Sequence, residues 1–203
     1  MDGAGKTTQV ERLCRRLEEK RIPFLRTREP GGTPIGDAVR RLLLDPASDM
    51  EPVTEAYLYA ASRAEHVRRV ILPALEEGLL VVCDRFLDAS IAYQAHGLAD
   101  PGLTEDAVLD INARAVGVLR PDRTIVVDVP VELALARLAK RAGPVGQDRL
   151  ERRGAAFFAR VREGLLDICD REPERVVRID GSLSPEDVAH AVWRAVETVM
   201  QRR

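Results

Sequence analysis

The chain has 203 residues, of which 45% are hydrophobic and 32% are charged, and its formal net charge is −2 at pH 7. This length and composition are typical of one globular domain with a substantial buried core. The balanced charge argues against a nucleic-acid-binding protein, and no apolar run is long enough to cross a membrane.

Helices and strands are predicted to alternate along the chain. Apolar periodicity and capping residues predict helices over 7–20, 33–44, 54–77, 88–96, 104–119, 130–141, 155–171 and 184–200. Short apolar runs predict strands over 23–28, 79–84, 124–129 and 175–180. This alternation indicates right-handed βαβ units, and therefore an α/β fold with one parallel sheet covered by helices on both faces. Pro73 could kink the long third helix.

Polar side chains follow two of the predicted strands. Arg28 and Glu29 come after the first strand, and Asp84 and Arg85 come after the second. Ligands of parallel α/β sheets bind at the carboxyl ends of the strands. We therefore expect these four residues to lie at a ligand site.

The chain opens within a phosphate-binding loop. The pattern G-x-x-x-x-G-K-S/T places its last glycine at Gly5, its lysine at Lys6 and its hydroxyl at Thr7. Small residues let backbone N–H groups converge on an anion, and the following helix adds its N-terminal dipole. Only 3 of the 31 basic residues are lysines, so a lysine at this position indicates a chemical requirement.

The first glycine of this pattern would fall one residue before Met1, and the strand that feeds such a loop is absent. In P-loop folds that strand lies in the middle of the sheet. Without it, two strand edges would stay unpaired, and each buried unpaired group costs about 1–3 kcal/mol. We expect the natural start to lie about ten residues upstream; the alternative is a truncated, inactive P-loop chain.

Four segments together resemble the signature segments of the bacterial thymidylate kinase family. They are D-G-A-G-K-T-T-Q at 2–9, T-R-E-P-G-G-T at 27–33, D-R-F at 84–86 and A-Y-Q at 92–94. The resemblance covers essentially the whole chain. It implies a three-layer P-loop NTPase fold, a homodimer, and transfer of the γ-phosphoryl group of ATP to dTMP in dTTP biosynthesis, giving dTDP and ADP with Mg²⁺.

The resemblance also implies roles for individual residues. The ATP-binding set is Asp2, Gly3, Ala4, Gly5, Lys6, Thr7 and Thr8. The dTMP-binding set is Asp2, Arg28, Tyr59, Arg63, Arg85, Ser90, Tyr93 and Gln94. Thr7 and Asp84 would hold the metal, and Lys6, Arg28 and Arg85 would act on the phosphates.

Each role has a simpler alternative. Arg28 could be an exposed charge on a turn, and Asp84 with Arg85 could form a local ion pair that caps the strand. Tyr59 could be plain core packing. Ser90, Tyr93 and Gln94 could form an ordinary helix surface.

The segment at about 141–153 is predicted to be a lid within the single kinase domain 1–203. It is rich in arginine, and a solvated charged face is the default interpretation of such a run. However, the phosphate loop carries no arginine of its own. We therefore hypothesise that Arg141 or Arg149 closes over the γ-phosphate as an arginine finger.

Two other functions are considered. A deoxynucleoside kinase would accept a neutral hydroxyl, so it would need a carboxylate base, for which Glu29 is a weak candidate, and it would lack T-R-E-P-G-G-T. A P-loop switch protein would need a guanine-reading N-K-x-D segment, which is absent. The isolated Cys14, Cys83 and Cys169 predict buried free thiols in a reducing cytoplasm.

Overall fold

Two pairs of parallel strands form the sheets of the protein. The computed structural model describes residues 1–142 and 147–201. Strand β1 (Phe24–Arg28) pairs with β2 (Leu80–Asp84), and β3 (Thr124–Asp128) pairs with β4 (Val176–Asp180). The sequence predicted one parallel sheet, but no strand of the described residues joins the two pairs by hydrogen bonds.

Helices connect these strands, as the alternating pattern predicted. Their bounds are α1 Lys6–Glu19, α2 Pro34–Leu44, α3 Pro52–His66, α4 Leu72–Glu76, α5 Leu87–Ser90, α6 Glu105–Val116, α7 Val131–Ala142, α8 Gly154–Arg171 and α9 Pro185–Met200. Side-chain caps begin several of them. The hydroxyl oxygens of Thr33, Thr104 and Ser184 each accept a backbone N–H from the first turn of the helix that follows.

Two helices contain π-helical segments that the sequence analysis did not predict. Val67–Ile71 links α3 to α4 without a break, and Leu72 N–H donates to the carbonyl oxygen of Val67. Pro73 has no N–H group, so the wider turn before it replaces the sharp end expected at a proline. Ile91–Gly97 extends α5 in the same way.

One hydrophobic cluster contacts both strand pairs. Its buried members include Leu17 from α1, Val127 from β3 and Phe158 from α8, and the half-buried Phe24 and Val82 of the other sheet pack against it. All three cysteines are free; Cys14 and Cys169 are buried and Cys83 is half-buried. Within the described ranges, every helix is too short or too polar to span a lipid bilayer.

The predicted lid lies between α7 and α8. Residues 143–146, which carry its Gly and Pro breakers, lie outside the described residues. The remainder is described: Glu151–Arg153 forms a short 3-10 turn that leads directly into α8. The segment 141–153 thus runs from the last residues of α7 to the turn before α8, and its role as a lid stays a prediction.

Candidate active site

The loop before α1 turns on two glycines with positive φ angles. Gly3 has φ of 75° and Gly5 has φ of 92°. A Cβ atom on Gly3 would lie 2.3 Å from the carbonyl oxygen of Ala134, so the loop backbone can approach α7 only with glycine here. The Lys6 ammonium folds back over the loop and donates to the carbonyl oxygen of Met1 at 2.8 Å. Thr7 and Thr8 follow on the exposed first turn of α1.

Asp2 connects this loop to the end of β2. Its carboxylate accepts from Arg85 Nη2 at 2.5 Å and from the Tyr93 hydroxyl at 2.9 Å, and it lies 3.6 Å from Lys6 Nζ. Arg85 has a φ of 73°, which is uncommon for a residue other than glycine. Its guanidinium also lies 4.5 Å from the centre of the Tyr93 ring.

The charges in this group alter one another. Burial acts to raise the pKa of Asp2, but Arg85 and Lys6 outweigh burial and hold that pKa well below its ordinary value. Burial and the Arg85 guanidinium lower the pKa of Lys6. Burial raises the pKa of Tyr93, so its hydroxyl stays neutral and can donate to Asp2. Asp84 also acts to raise the pKa of Lys6 and Arg85, so two cations and two carboxylates face one another at the loop.

A central pocket opens beside this group. It is lined by Glu29, Tyr59, Arg63, Arg85, Ala89, Ser90, Tyr93, Gln94 and Leu150. Six of these nine side chains belong to the set that the sequence analysis assigned to dTMP. Ser90 and Gln94 are almost fully buried, yet Ser90 Oγ and Gln94 Oε1 have no hydrogen-bond partner among the described residues. Buried polar atoms in a folded protein are normally paired, so these two atoms on the pocket wall are available to a ligand.

Comparisons with known proteins agree with this geometry. The family model described as "Thymidylate kinase" matches residues 1–192. The chain belongs to the thymidylate kinase family. A thymidylate kinase from Symbiobacterium thermophilum is 50% identical over 204 residues, with 100% of this chain and 92% of that protein covered. One from Thermomicrobium roseum is 46% identical over 201 residues, with 99% and 93% covered.

A solved structure gives the same result. The crystal structure of thymidylate kinase from Ehrlichia chaffeensis superposes with a TM-score of 0.74 at 30% identity, covering 97% of this chain and 94% of that chain. The resemblance inferred from four short segments is thus confirmed, as is the prediction of a phosphotransferase. The comparisons support neither the deoxynucleoside kinase nor the inactive-chain alternative.

Arg63 lies deeper than the family resemblance suggested. Its Nε donates to Glu29 Oε2 at 2.7 Å, and its Nη1 donates to Asn112 Oδ1. His66, which is fully buried, bonds the other Glu29 oxygen at 3.0 Å. Both oxygens of Glu29 are therefore occupied, which removes the basis for assigning it as the base of a deoxynucleoside kinase. Arg63 still forms part of the pocket wall.

Arg28 and Asp84 lie outside the central pocket of this thymidylate kinase family member. They are paired in register at the ends of β1 and β2. The Arg28 side chain is 58% exposed, and its nearest carboxylate, Asp37, is 3.8 Å away. The Asp84 carboxylate forms no hydrogen bond or ion pair with a described side chain, and it is close enough to Lys6 to act on the pKa of the lysine.

The residues predicted to hold a metal fit a hard cation. Thr7 is an exposed residue with a hydroxyl group, and Asp84 supplies a carboxylate that has no hydrogen-bond partner among the described side chains. Oxygen ligands of this kind suit Mg²⁺, which usually binds through one or two protein groups, water and substrate phosphates. The donor set is therefore compatible with the predicted metal.

The two candidate finger arginines of the lid are both paired with carboxylates. Arg141 is 61% exposed and donates to Glu151. Arg149 is 11% exposed, donates to Glu55 Oε2 at 2.7 Å, and also donates to the carbonyl oxygen of Leu43. Neither contact involves the phosphate loop, so a finger role requires the side chain to exchange partners.

Two residues near the site were missed by sequence reasoning. Glu55 is fully buried beneath the pocket, although its position in the first turn of α3 is normally a solvated one. Arg40 on α2 donates to the carbonyl oxygen of Pro30, and burial and the neighbouring Arg28 lower its pKa. In the sequence Arg40 is one of two adjacent helix arginines, and nothing in the local pattern separates it from Arg41.

Proposed function

We propose that this chain transfers the γ-phosphoryl group of ATP to dTMP, forming dTDP and ADP. The observation that carries the proposal is the position of Arg85. Arg85 lines the central pocket and also binds Asp2, which lies beside Lys6 of the phosphate loop. An acceptor nucleotide in the pocket would therefore have its phosphate beside a γ-phosphate held by the loop.

The donor end is a P-loop NTPase site. The backbone N–H groups of Gly3, Ala4 and Gly5, together with the N-terminus of α1, would cradle the ATP phosphates. Lys6 would leave the Met1 carbonyl oxygen and contact the β- and γ-phosphates. Thr7 and Asp84 would hold Mg²⁺, which supplies neutralisation of the developing phosphate charge when bound.

The acceptor end is the central pocket. Tyr59 would stack on the thymine ring, and Arg63, Ser90, Tyr93 and Gln94 would surround the base and sugar. Arg85 would bind the dTMP phosphate from inside the pocket, and Arg28 would reach it from the exposed turn after β1. Asp2 would lie near the sugar 3′-hydroxyl.

The transfer needs positioning and charge stabilisation more than proton removal. A phosphate oxygen of dTMP, already ionised near neutral pH, attacks the γ-phosphorus while the bond to the β–γ bridging oxygen breaks. The arginines and Lys6 would stabilise the charge on the moving group. Closure of the lid segment at 141–153 would exclude water and so prevent ATP hydrolysis.

A coupled ADP-release assay with dTMP, dUMP, dCMP and thymidine tests this proposal. We expect magnesium-dependent ADP release with dTMP that exceeds the rate without an acceptor by at least a hundredfold. Thymidine, which lacks the phosphate, should give no release above background. Equal rates with thymidine and dTMP would instead identify a nucleoside kinase, and no release with any acceptor from folded protein would refute the proposal.

We further propose a cytoplasmic homodimer. Val53 and Tyr57, one turn apart on α3, and Leu109 on the adjacent α6 are large apolar residues that are 39% exposed or more. Exposed apolar residues on neighbouring helices are typical of an interface. Light scattering after gel filtration should give twice the chain mass, and Tyr57→Glu should lower the measured mass to that of the monomer.

Three free thiols fit a reducing compartment such as the proposed cytoplasm.

A further inference from the structure

Glu55 is a buried carboxylate shared by three side chains. Its Oε1 accepts from Gln94 Nε2 at 3.2 Å, and its Oε2 accepts from Arg149 Nη2 and Arg153 Nη2, both at 2.7 Å. It is fully buried but does not line the central pocket. An ionised group this deep requires a structural or functional reason, because burying a charge is costly unless it is paired.

The contact with Gln94 fixes which way the amide of Gln94 faces. A carboxylate only accepts hydrogen bonds, so it must be bonded by the NH₂ end of an amide. The other end of the amide is the oxygen, Gln94 Oε1. Gln94 lines the pocket, and Oε1 has no hydrogen-bond partner among the described residues. An unpaired acceptor on a side chain that lines the pocket is available to a bound ligand.

An acceptor at this point selects among nucleobases. Thymine and uracil carry an N–H group at ring position 3, whereas cytosine carries a bare nitrogen there that can only accept. A carbonyl oxygen in the pocket accepts a hydrogen bond from the N–H group of thymine or uracil. With cytosine, the same oxygen faces another acceptor and no hydrogen bond forms. Mispaired buried polar groups are the strongest basis for discrimination between ligands of similar shape.

We propose that Glu55 is a positioning residue for base selection: it holds the amide of Gln94 with its oxygen towards the pocket, so that the site accepts 3-NH pyrimidine nucleotides and rejects cytosine nucleotides. This inference rests on the proposed function of the central pocket. Glu55 acts through Gln94 and touches no substrate atom.

The two lid arginines maintain this arrangement. Together Arg149 and Arg153 supply two positive charges to one carboxylate, so either one alone suffices to neutralise it. If Arg149 moves to the γ-phosphate, Arg153 stays as the partner of Glu55. Glu55 therefore keeps a cationic partner when Arg149 binds elsewhere, and it is not left buried and unpaired.

The isosteric variant Glu55→Gln tests the proposal through substrate ratios. A glutamine at 55 can present either an oxygen or an NH₂ group, so the amide of Gln94 loses its fixed orientation. We expect the ratio of kcat/KM for dTMP to that for dCMP to fall at least tenfold. The ratio for dTMP to dUMP should stay unchanged, because these two share the N–H group.

Glu65→Gln on the same helix is the matched control, because its carboxylate is half-exposed and pairs only with Arg69. It should leave both ratios unchanged. A purely structural role for Glu55 would lower the activity with all three nucleotides equally, and such a result would overturn the proposal. The ratios do not depend on the fraction of folded enzyme.

Gln94→Met keeps the proposal testable if Glu55→Gln does not fold. Methionine preserves the length of the side chain and removes its amide. The dTMP-to-dCMP ratio should again fall at least tenfold, and an unchanged ratio would refute base selection through this amide. Failure of the wild type to use dTMP would instead refute the proposed function, so the two failures are distinguishable.

Discussion

Two buried polar groups on the same short helix have opposite surroundings. Asp88 and Ser90 both lie on α5, and both are less than a tenth exposed. The Asp88 carboxylate is fully bonded, since Arg175 donates to both of its oxygens at 2.7 Å and Thr124 donates to one at 2.6 Å. Ser90 Oγ, two residues later, has no partner among the described residues.

This difference separates structural from functional polar groups. Burial and polarity alone do not make this separation. Asp88 and Ser90 are both less than a tenth exposed, and Asp88 is the more polar of the two. Completeness of pairing separates these two: Asp88 has its partners within the protein, whereas Ser90 Oγ keeps unused hydrogen-bonding capacity on a side chain that lines the pocket. Arg28 and Arg175 differ in the same way: the Asp37 carboxylate lies 3.8 Å from Arg28, whereas Arg175 donates to Asp88, Thr124 and Glu172.

The largest expected effect comes from the lid. Arg141 and Arg149 each have a carboxylate partner to exchange for the γ-phosphate. Replacing the residue that acts as the finger by alanine should lower kcat by about 10³-fold or more. Steady-state kcat of Arg141→Ala and Arg149→Ala, measured at saturating ATP and dTMP, identifies which one acts.

Arg152→Ala is the control for these variants, because Arg152 is an exposed lid arginine whose Nε donates only to the backbone oxygen of Gln147. Its kcat should stay within twofold of the wild type. Near-normal kcat in both finger candidates would show that the lid supplies no catalytic charge.

Lys6→Met should have the next largest effect. The ammonium group is held over the phosphate loop by Met1 and Asp2, and removing one preorganised donor typically costs about 10²–10³ in kcat. Thermal stability should change little. Lys20→Met, at the other end of α1, serves as the comparison, and a similar loss in both variants would remove the special role of position 6.

The sequence was sufficient to predict the family, and strand ends in a parallel sheet bring distant motifs together. Arg85, Tyr93 and Gln94 line one pocket, and their roles in binding dTMP stay predictions. The role of Glu55 could not be predicted, because an acidic residue in the first turn of a helix is normally explained by the helix dipole. Only the packing of α3 beneath the pocket reveals its three partners.

The arrangement of the strands was predicted less well than their positions. All four strands appear within about two residues of the predicted ranges, since apolar runs bounded by turn residues are a strong local signal. Their division into two pairs depends on long-range hydrogen bonds, which leave no periodic signal. The burial of Arg63 could not be predicted for the same reason, because its partners Glu29 and Asn112 are 34 and 49 residues away in the sequence.

The contribution of Asp88 to stability should decrease at acidic pH. Burial acts to raise the pKa of Asp88, but the hydrogen bonds from Arg175 and Thr124 outweigh it and lower that pKa. The stability it contributes is present above its unfolded pKa of about 3.9 and is lost as pH falls through the lower folded value. Asp88→Asn should therefore lower the free energy of unfolding by about 2 kcal/mol at pH 7, and by less below pH 4.

Urea unfolding at pH 7, 5, 4 and 3 measures this difference, with Asp110→Asn as an exposed control that should cost nothing. The kinetic constants of Asp88→Asn should match those of the wild type. A difference between Asp88→Asn and wild type that is independent of pH would mean that the carboxylate charge contributes nothing.

Ser90→Ala should have the smallest effect. Its effect on the free energy of unfolding should be opposite in sign to that of Asp88→Asn. Removing a buried hydroxyl without a partner should leave the free energy of unfolding unchanged or raise it by up to about 1 kcal/mol. Ser62→Ala is the matched variant: Ser62 is equally buried, but its Oγ accepts from Gly31 N–H at 3.2 Å, so its loss should destabilise. Meanwhile Ser90→Ala should raise the KM for dTMP by about fivefold with little change in kcat, since one hydrogen bond to a substrate is worth about 1 kcal/mol. If Ser90→Ala destabilised the protein as much as Ser62→Ala and left KM unaltered, unpaired polar atoms would no longer identify the ligand site in this protein.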